Sequence, residues 1–315
     1  MTAVNAFTCS LSLALCILTL LHHGHCTTRP MIGVLAQENG YHKNGSFITA
    51  SYVKAVEASG ARVVPIFIGK NRYYYTRLLS ELNGVVFPGG TVDFHARDGY
   101  ADAGRYIFEE AIYLNKHGRH FPILGVCQGL QLLAFISNNN TDLLTKCTGT
   151  MNTPLNLIFA KGYANSSLYG NASRSDLEAL AKFNLTINQH QWCLTEKNLS
   201  YFRLDKFWQV LTLNNDATGM PFISSMEAYN YPFVGVQFHP EKVAYEWNPK
   251  LNVPHSPLAV RVNRLFYDWL TYQARISQNR FNSTDIENRL VVYNFSPKFT
   301  GRNGSISEQV YYFRW

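Results

Sequence analysis

The sequence predicts an α/β fold: a three-layer sandwich in which helices cover both faces of a mostly parallel central sheet. Segments of strand length alternate with segments of helical spacing, and the links between them are short. The strand segments are almost continuously apolar, which is typical of parallel strands buried on both faces. At Cys127 an apolar segment passes directly into a helical one. The sequence therefore also predicts a tight turn at a carboxyl strand end, the edge where such sheets carry their active sites.

The first half of the chain contains four strand–helix units. Apolar and β-branched runs predict strands at residues 31–36, 62–68, 84–87 and 121–126. Apolar residues at helical spacing predict helices at residues 48–58, 73–82 and 101–116, and a fourth helix that follows Cys127. The polar residues 37–45 predict a loop after the first strand.

The second half is less regular, but it contains one clear strand and one clear helix. Residues 232–238 predict a strand that stops at Pro240, and residues 254–275 predict a helix with an apolar face. Weaker patterns allow strands at 152–161, 208–213 and 290–293, and a short helix at 173–183. Because no linker is long enough to divide the chain, we predict a single domain over residues 27–315, whose tail after about residue 280 carries no informative motif.

The N-terminus predicts a signal peptide over residues 1–26. Residues 1–28 contain no Asp, Glu, Lys or Arg, and residues 7–21 form an apolar run that is short for a membrane span. Gly24 and Cys26 are small residues at the spacing of a signal-peptidase site. We therefore expect cleavage near Cys26 and no membrane span in the mature chain.

Glycosylation sequons independently support entry into the secretory pathway. Asn-X-Ser/Thr occurs nine times, which is more than the composition predicts by chance. Asn294 is a poor acceptor because Pro297 follows its sequon. The remaining candidates are Asn44, Asn139, Asn165, Asn171, Asn184, Asn198, Asn282 and Asn303. Together they predict a glycoprotein of the secretory pathway.

Composition excludes several classes of function. Hydrophobic residues make up 46% of the chain, which is ample for a large core. The net charge is +7, but no run of basic residues and no nucleic-acid motif is present, so we expect no nucleic-acid partner. The charge fits either a generally basic surface or attraction of an anionic substrate. No Cys/His spacing resembles a zinc site, and we expect no metal and no cofactor.

Cysteine counting leaves one thiol to explain. After signal cleavage the chain keeps Cys127, Cys147 and Cys193. Because this number is odd, at least one thiol stays free or pairs between chains. A bridge between Cys147 and Cys193 is one possibility, and the sequence leaves it open.

Cys127 has the setting of a nucleophile. It stands between a strand and a helix, and Gly125 and Gly129 allow close packing around the turn. This is the arrangement of a nucleophile elbow, with Cys in place of Ser. The helix N-terminus favours a thiolate there, and its N–H groups can stabilise an oxyanion. The competing interpretation is that Cys127 is a small core residue.

The residues that a thiolate needs follow other strands. His239 lies at the end of strand 232–238, and Glu241 can fold back to orient its ring, which would give a Cys–His–Glu arrangement. The Pro88-Gly89-Gly90 turn can offer the N–H of Gly89 or Gly90 to an oxyanion hole, and we predict Gly90, with Gln128 N–H as the second donor. Each feature also has an ordinary interpretation, a surface or core histidine and a simple turn.

Together these motifs carry a family resemblance. Phe87-Pro88-Gly89-Gly90, Gly125-Val126-Cys127-Gln128-Gly129 and Gln237-Phe238-His239-Pro240-Glu241, in this order, resemble the class I glutamine amidotransferase superfamily. Within it the chain is most similar to the gamma-glutamyl hydrolases, over about residues 30–275. Gln128 and Gln131 are nearer to the amidotransferase version of the motif. The resemblance implies a flavodoxin-like sheet.

The resemblance also implies roles. Cys127 would be the nucleophile, His239 the general base and acid, and Glu241 the residue that orients it, with His190 and Gly89 near the substrate. From the sequence alone, His190 would be a surface residue beside a buried Trp192. The implied substrate is a folylpoly-γ-glutamate, cleaved through a γ-glutamyl thioester.

The implied setting is a homodimer in the lysosome, the vacuole or outside the cell. Two alternatives stay open. The chain could be a glutamine amidohydrolase, because glutamine presents the same γ-amide, or a secreted glycoprotein that binds acidic ligands without catalysis.

Overall fold

The computed structural model of the chain describes residues 26–38 and 45–314. Its strands, in chain order, are β1 (Met31–Leu35), β2 (Gln37–Glu38), β3 (Gly45–Thr49), β4 (Arg62–Ile66), β5 (Gly84–Phe87), β6 (Ile123–Val126), β7 (Thr145–Lys146), β8 (Met151–Leu155), β9 (Ile158–Phe159), β10 (Thr186–Gln189), β11 (Trp192–Cys193), β12 (Trp208–Asn215), β13 (Pro221–Ala228), β14 (Phe233–Val236), β15 (Lys298–Phe299) and β16 (Gln309–Arg314). Its α-helices are α1 (Ala50–Ala58), α2 (Arg72–Leu79), α3 (Tyr100–Lys116), α4 (Gln128–Ser137), α5 (Arg174–Lys182), α6 (Glu196–Tyr201), α7 (Lys242–Tyr245), α8 (Pro257–Ile276) and α9 (Thr284–Leu290).

The central sheet has eight strands in the order β4-β1-β5-β6-β14-β13-β12-β9. The first five strands of this order run parallel: β4, β1, β5, β6 and β14. The last three continue the sheet with antiparallel pairing: β13, β12 and β9. This confirms the predicted α/β class with a mostly parallel sheet. The parallel part brings the carboxyl ends of β5, β6 and β14 to one edge, where the predicted site residues follow.

Two hydrophobic cores lie on the two faces of this sheet. In β5, Val85 packs with α2, α3 and α4 in one core, whereas its neighbour Val86 packs with α1 and α8 in the other. Successive strand residues point to opposite faces, so each strand supplies both cores. The three predicted layers are therefore present. Within the described part of the chain, no helix combines the length and hydropathy needed to cross a membrane.

The C-terminal tail is folded and reaches back to the N-terminal part of the molecule. A second sheet has the order β15-β16-β3-β2, in which β16 pairs antiparallel with β3. The predicted helix at 48–58 is wrong at its start, because residues 45–49 form β3 and the helix begins at Ala50. The possible strand at 290–293 is also wrong, since α9 runs to Leu290 and a 3₁₀ turn spans Val292–Asn294.

The sequence also missed strand β13, which lies in the central sheet. Ser224 and Ser225 are fully buried in it, so the apolar alternation is interrupted. Their hydroxyls are satisfied, because Ser224 Oγ donates to Asn214 Oδ1 and Ser225 Oγ lies 2.6 Å from Thr212 Oγ1. Buried serines of β13, bonded to polar side chains of β12, therefore stand where hydrophobic residues are expected.

Candidate active site

The turn at Cys127 has the geometry of a nucleophile elbow. β6 ends at Val126 and α4 begins at Gln128, so Cys127 is the only residue between them, with φ 52° and ψ −109°. A positive φ is unusual for a residue with a side chain and costs conformational energy. The backbone holds it there through the Cys127 N–H, which donates to Val236 O on β14 at 2.7 Å. The thiol is thereby fixed at the carboxyl edge of the sheet.

His239 faces this edge from the end of β14. Its backbone N–H donates to Ile187 O at 2.9 Å, and its side chain is buried. Nδ1 of the ring lies 2.7 Å from Oε1 of Glu241, which is itself 1% exposed. Because Glu241 occupies Nδ1, Nε2 is the ring nitrogen left to exchange a proton with the Cys127 sulfur.

The charges of this pair support each other. Burial alone would lower the pKa of His239, but the Cys127 sulfur and then the Glu241 carboxylate raise that pKa to about 9. Burial would likewise raise the pKa of Glu241, and the charge and hydrogen bond of His239 lower it instead. The arrangement therefore favours a protonated His239, the state in which it can protonate a leaving nitrogen.

Gly89 lies between Cys127 and His239. A β-carbon on residue 89 would stand 2.7 Å from Cε1 of His239 and 2.9 Å from Cβ of Cys127. Real side chains do not approach so closely, so any side chain here would push the two groups apart. Gly89 thus leaves the room in which His239 and Cys127 can lie close together, and its proximity to the substrate stays a prediction.

Tyr52 also lies at this site, although its sequence pattern indicates no role there. Its hydroxyl accepts the Gly89 N–H at 2.8 Å and lies 3.3 Å from Nδ1 of His239. Burial and then the nearby Glu241 raise the pKa of Tyr52 well above its usual range, so the hydroxyl keeps its proton. Since Gly89 N–H is used for this bond, Gly90 N–H remains as the donor of this turn for an oxyanion.

Gln128 contributes to the same turn in two ways. Its backbone N–H opens helix α4, where the first N–H groups have no partner within the helix. Its side chain donates from Nε2 to Val92 O at 2.7 Å and accepts the Val92 N–H at 3.1 Å. Gln128 therefore offers a donor to an oxyanion and clamps the loop that carries Gly90.

The expected exposure of His190 and Trp192 is reversed in the structure. His190 is 5% exposed and Trp192 is 50% exposed. Nδ1 of His190 lies 3.2 Å from Trp192 O, and Nε2 lies 3.1 Å from Oδ1 of Asn188. The two-residue strand β11 explains the exposure of Trp192, because it directs Trp192 outward and Cys193 inward.

Burial and the nearby His239 keep His190 uncharged. They lower the pKa of His190 to about 3, against a smaller opposite effect of its bond to Trp192. A neutral ring carries one N–H, so His190 can donate to only one oxygen at a time. Its proximity to His239 places it at the site, where a second cation would be unfavourable.

Cys147 and Cys193 form a disulfide behind His190. Their Cα atoms are 5.9 Å apart, and both sulfurs approach Nδ1 of His190, at 3.8 and 3.6 Å. Among the described residues, these two cysteines and His190 form the one group whose ligand atoms are close enough to share a metal ion. Because both sulfurs are bonded to each other, they are not thiolate ligands. The disulfide leaves Cys127 as the buried free thiol.

Comparison with known proteins shows the family of this chain. The Peptidase C26 family matches this chain over residues 30–241. The gamma-glutamyl hydrolase of Homo sapiens is 36% identical over 99% of this chain and 100% of its own length. The rat enzyme is 37% identical over 90% of each chain. Gamma-glutamyl hydrolase B of Dictyostelium discoideum is 31% identical over 90% of this chain and 83% of its own. On this evidence the chain belongs to the Peptidase C26 family of cysteine-type hydrolases.

Proposed function

We propose that this protein hydrolyses the γ-glutamyl bonds of folylpoly-γ-glutamates. The observation that carries the proposal is the buried Glu241–His239 pair, 2.7 Å apart, beside a free thiol on a strand-to-helix elbow. The similarity to gamma-glutamyl hydrolases supports the choice of bond. The basic net charge of +7 is suited to a polyanionic tail.

In the first step the Cys127 sulfur attacks the γ-carbonyl carbon of a glutamyl residue. The carbonyl oxygen becomes an oxyanion, which the backbone N–H groups of Gly90 and Gln128 stabilise. His239 then gives its proton to the leaving nitrogen, the C–N bond breaks, and a γ-glutamyl thioester remains on Cys127.

In the second step water replaces the leaving group. Neutral His239 takes a proton from a water molecule as that water attacks the thioester carbonyl. The C–S bond breaks, the γ-carboxylic acid leaves and loses its proton to solvent, which balances the proton that the released amine takes up, and the thiolate–imidazolium pair is restored. Glu241 orients the ring and stabilises its charge through both steps.

A glutamine amidohydrolase would use the same acyl chemistry. The two activities differ only beyond the leaving nitrogen, where one substrate releases ammonia and the other releases glutamate or a shorter polyglutamate. The similarity of this chain to gamma-glutamyl hydrolases over almost its whole length favours the peptide substrate. A binding protein without catalysis would not need Cys127, His239 and Glu241 together.

We also propose that the chain is a secreted or lysosomal (vacuolar) glycoprotein that forms a homodimer. The predicted signal peptide lies outside the described residues apart from residue 26, and Asn44 lies outside them too. Asn198 is partly buried, whereas the other described candidates are exposed: Asn139, Asn165, Asn171, Asn184, Asn282 and Asn303. Endoglycosidase digestion and light scattering of protein expressed through the secretory pathway would test glycosylation and dimerisation.

The activity is tested by incubating the purified protein with a pteroyl-poly-γ-glutamate and separating the products. We expect shortening of the tail that iodoacetamide abolishes, and no turnover by Cys127→Ala. Ammonia release from glutamine without tail shortening would support the amidohydrolase instead. If a folded sample whose Cys127 thiol is reduced shows neither activity, the interpretation that remains is a binding protein without catalysis.

A further inference from the structure

Two buried glutamines connect the backbone of Trp192 to the nucleophile. Gln131 Nε2 donates to Trp192 O at 2.9 Å and to Gln237 Oε1 at 3.3 Å, and Gln237 Nε2 donates to the Cys127 sulfur at 3.6 Å. Gln237 is fully buried and Gln131 is 6% exposed. We propose that Gln131 and Gln237 are positioning residues that aim an amide N–H at the sulfur and hold it ready for attack. The inference deepens the proposed function, because it concerns the same sulfur.

The direction of this chain of hydrogen bonds is set at its far end. The oxygen of Trp192 is a backbone carbonyl and can only accept, so Gln131 must present its NH₂ group to it. The second hydrogen of that group faces Gln237, which must then present its oxygen to Gln131. Gln237 consequently presents its own NH₂ group to the sulfur. The carbonyl oxygen of Trp192, at the far end of these hydrogen bonds, thus determines that an N–H group of Gln237, and not its oxygen, faces Cys127.

The sulfur has a different partner on another side. Gln189 O lies 3.9 Å from it and can accept only from a protonated thiol. The thiolate loses that partner and keeps the Gln237 N–H, since an anion is a better acceptor than a thiol. The two glutamines therefore offer the sulfur a hydrogen-bond donor, and burial prevents water from taking the place of the amide.

The same carbonyl connects this chain to His190. Nδ1 of His190 lies 3.2 Å from Trp192 O, which therefore faces both His190 and Gln131. The neighbouring Cys193 is held by its disulfide to Cys147. The position of β11 is thereby coupled to both Cys127 and His190.

The test replaces each amide with a side chain of similar length that cannot donate. In Gln237→Met, we expect the pH midpoint of Cys127 alkylation by iodoacetamide to rise by roughly one pH unit, with kcat falling about tenfold and KM little changed. Gln131→Met should shift the midpoint in the same direction but less, because it acts through Gln237. Gln209→Met is the matched control: Gln209 is partly buried on β12 and its Nε2 faces Gly162 O, so no shift is expected.

Alkylation needs no substrate, so it separates this inference from the proposed function. An unchanged midpoint in Gln237→Met, with circular dichroism showing a folded protein, would overturn the inference even if the enzyme cleaves γ-glutamyl bonds. A shifted midpoint without γ-glutamyl hydrolysis by the wild type would support the inference and refute the substrate. If Gln237→Met does not fold, Gln237→Glu, which keeps the length but turns an oxygen to the sulfur, should raise the midpoint further.

Discussion

A β-carbon on residue 129 would stand 1.9 Å from the carbonyl oxygen of Phe87, so Gly129 is required where helix α4 crosses the end of β5. Because a backbone carbonyl cannot move aside as a flexible side chain can, we expect Gly129→Ala to destabilise the protein by about 2–3 kcal/mol and to displace Cys127. Denaturant unfolding and the rate of iodoacetamide labelling measure the two effects.

Gly104→Ala is the control for this substitution. The added methyl group would meet Cδ2 of Leu132 at 2.6 Å, the end of a side chain that can turn, and alanine is the better helix former in α3. A loss as large in Gly104→Ala as in Gly129→Ala would show that the Phe87 carbonyl is not the reason for the glycine.

We expect Glu241 to set the alkaline limit of activity. Burial opposes the charge of His239, but the Cys127 sulfur and Glu241 raise its pKa to about 9. Glu241→Gln removes the carboxylate, so the pKa of His239 falls and its proton is lost at lower pH. We expect the alkaline limb of kcat/KM to move to lower pH by about one unit. Glu109→Gln, on the surface of α3, should leave the profile unchanged.

The sequence predicted the parts of the site that depend on local pattern. Cys127 and His239 each follow an apolar strand, and parallel strands bring their carboxyl ends to one edge. It could not predict the contact of Tyr52 with Gly89 and His239, because a tyrosine at a buried helical position is usually a core residue. Nor could it predict that β16 pairs with β3, since neither strand's own sequence specifies a partner from the opposite end of the chain.

His190 makes the fold sensitive to acid. Its pKa is lowered from 6.5 to about 3 in the folded protein, so below pH 6.5 the unfolded chain binds a proton that the folded chain does not. The contribution of neutral His190 to the free energy of unfolding is fully present above pH 6.5 and is lost as the pH falls towards 3. Between pH 7 and 5 we expect the wild type to lose about 2 kcal/mol more than His190→Gln. Chemical denaturation at both pH values measures this, and His117→Gln, at an exposed position, should behave as the wild type.

The Cys147–Cys193 disulfide stabilises the wall behind His190. It closes a sequence separation of 46 residues, so replacing both cysteines with serine should lower the free energy of unfolding by about 3–4 kcal/mol. Because both sulfurs contact Nδ1 of His190, we also expect a lower kcat/KM in the double variant. Cys127→Ser should keep the disulfide, which thiol counting by mass spectrometry can verify. Two additional free thiols in the unreduced wild type would contradict the pairing.

The C-terminal strand supports the site through β3. Phe313 on β16 is 4% exposed, and its ring centroid lies 5.1 Å from that of Phe67 and 5.0 Å from that of Phe295. β16 pairs with β3, which ends at Thr49, directly before the helix that carries Tyr52. Phe313→Ala should therefore cost about 3–5 kcal/mol of stability and also reduce kcat/KM at temperatures where the variant is still folded.

Tyr312 provides the matched control for this strand. It precedes Phe313 on the opposite face and is 39% exposed, so Tyr312→Ala should change stability by much less. Thermal unfolding of both variants, with kinetics measured well below the lower melting temperature, separates the two effects. Equal losses in the two variants would contradict a specific aromatic contact. A destabilised Phe313→Ala with unchanged kcat/KM would show that β16 supports the fold without affecting the position of Tyr52.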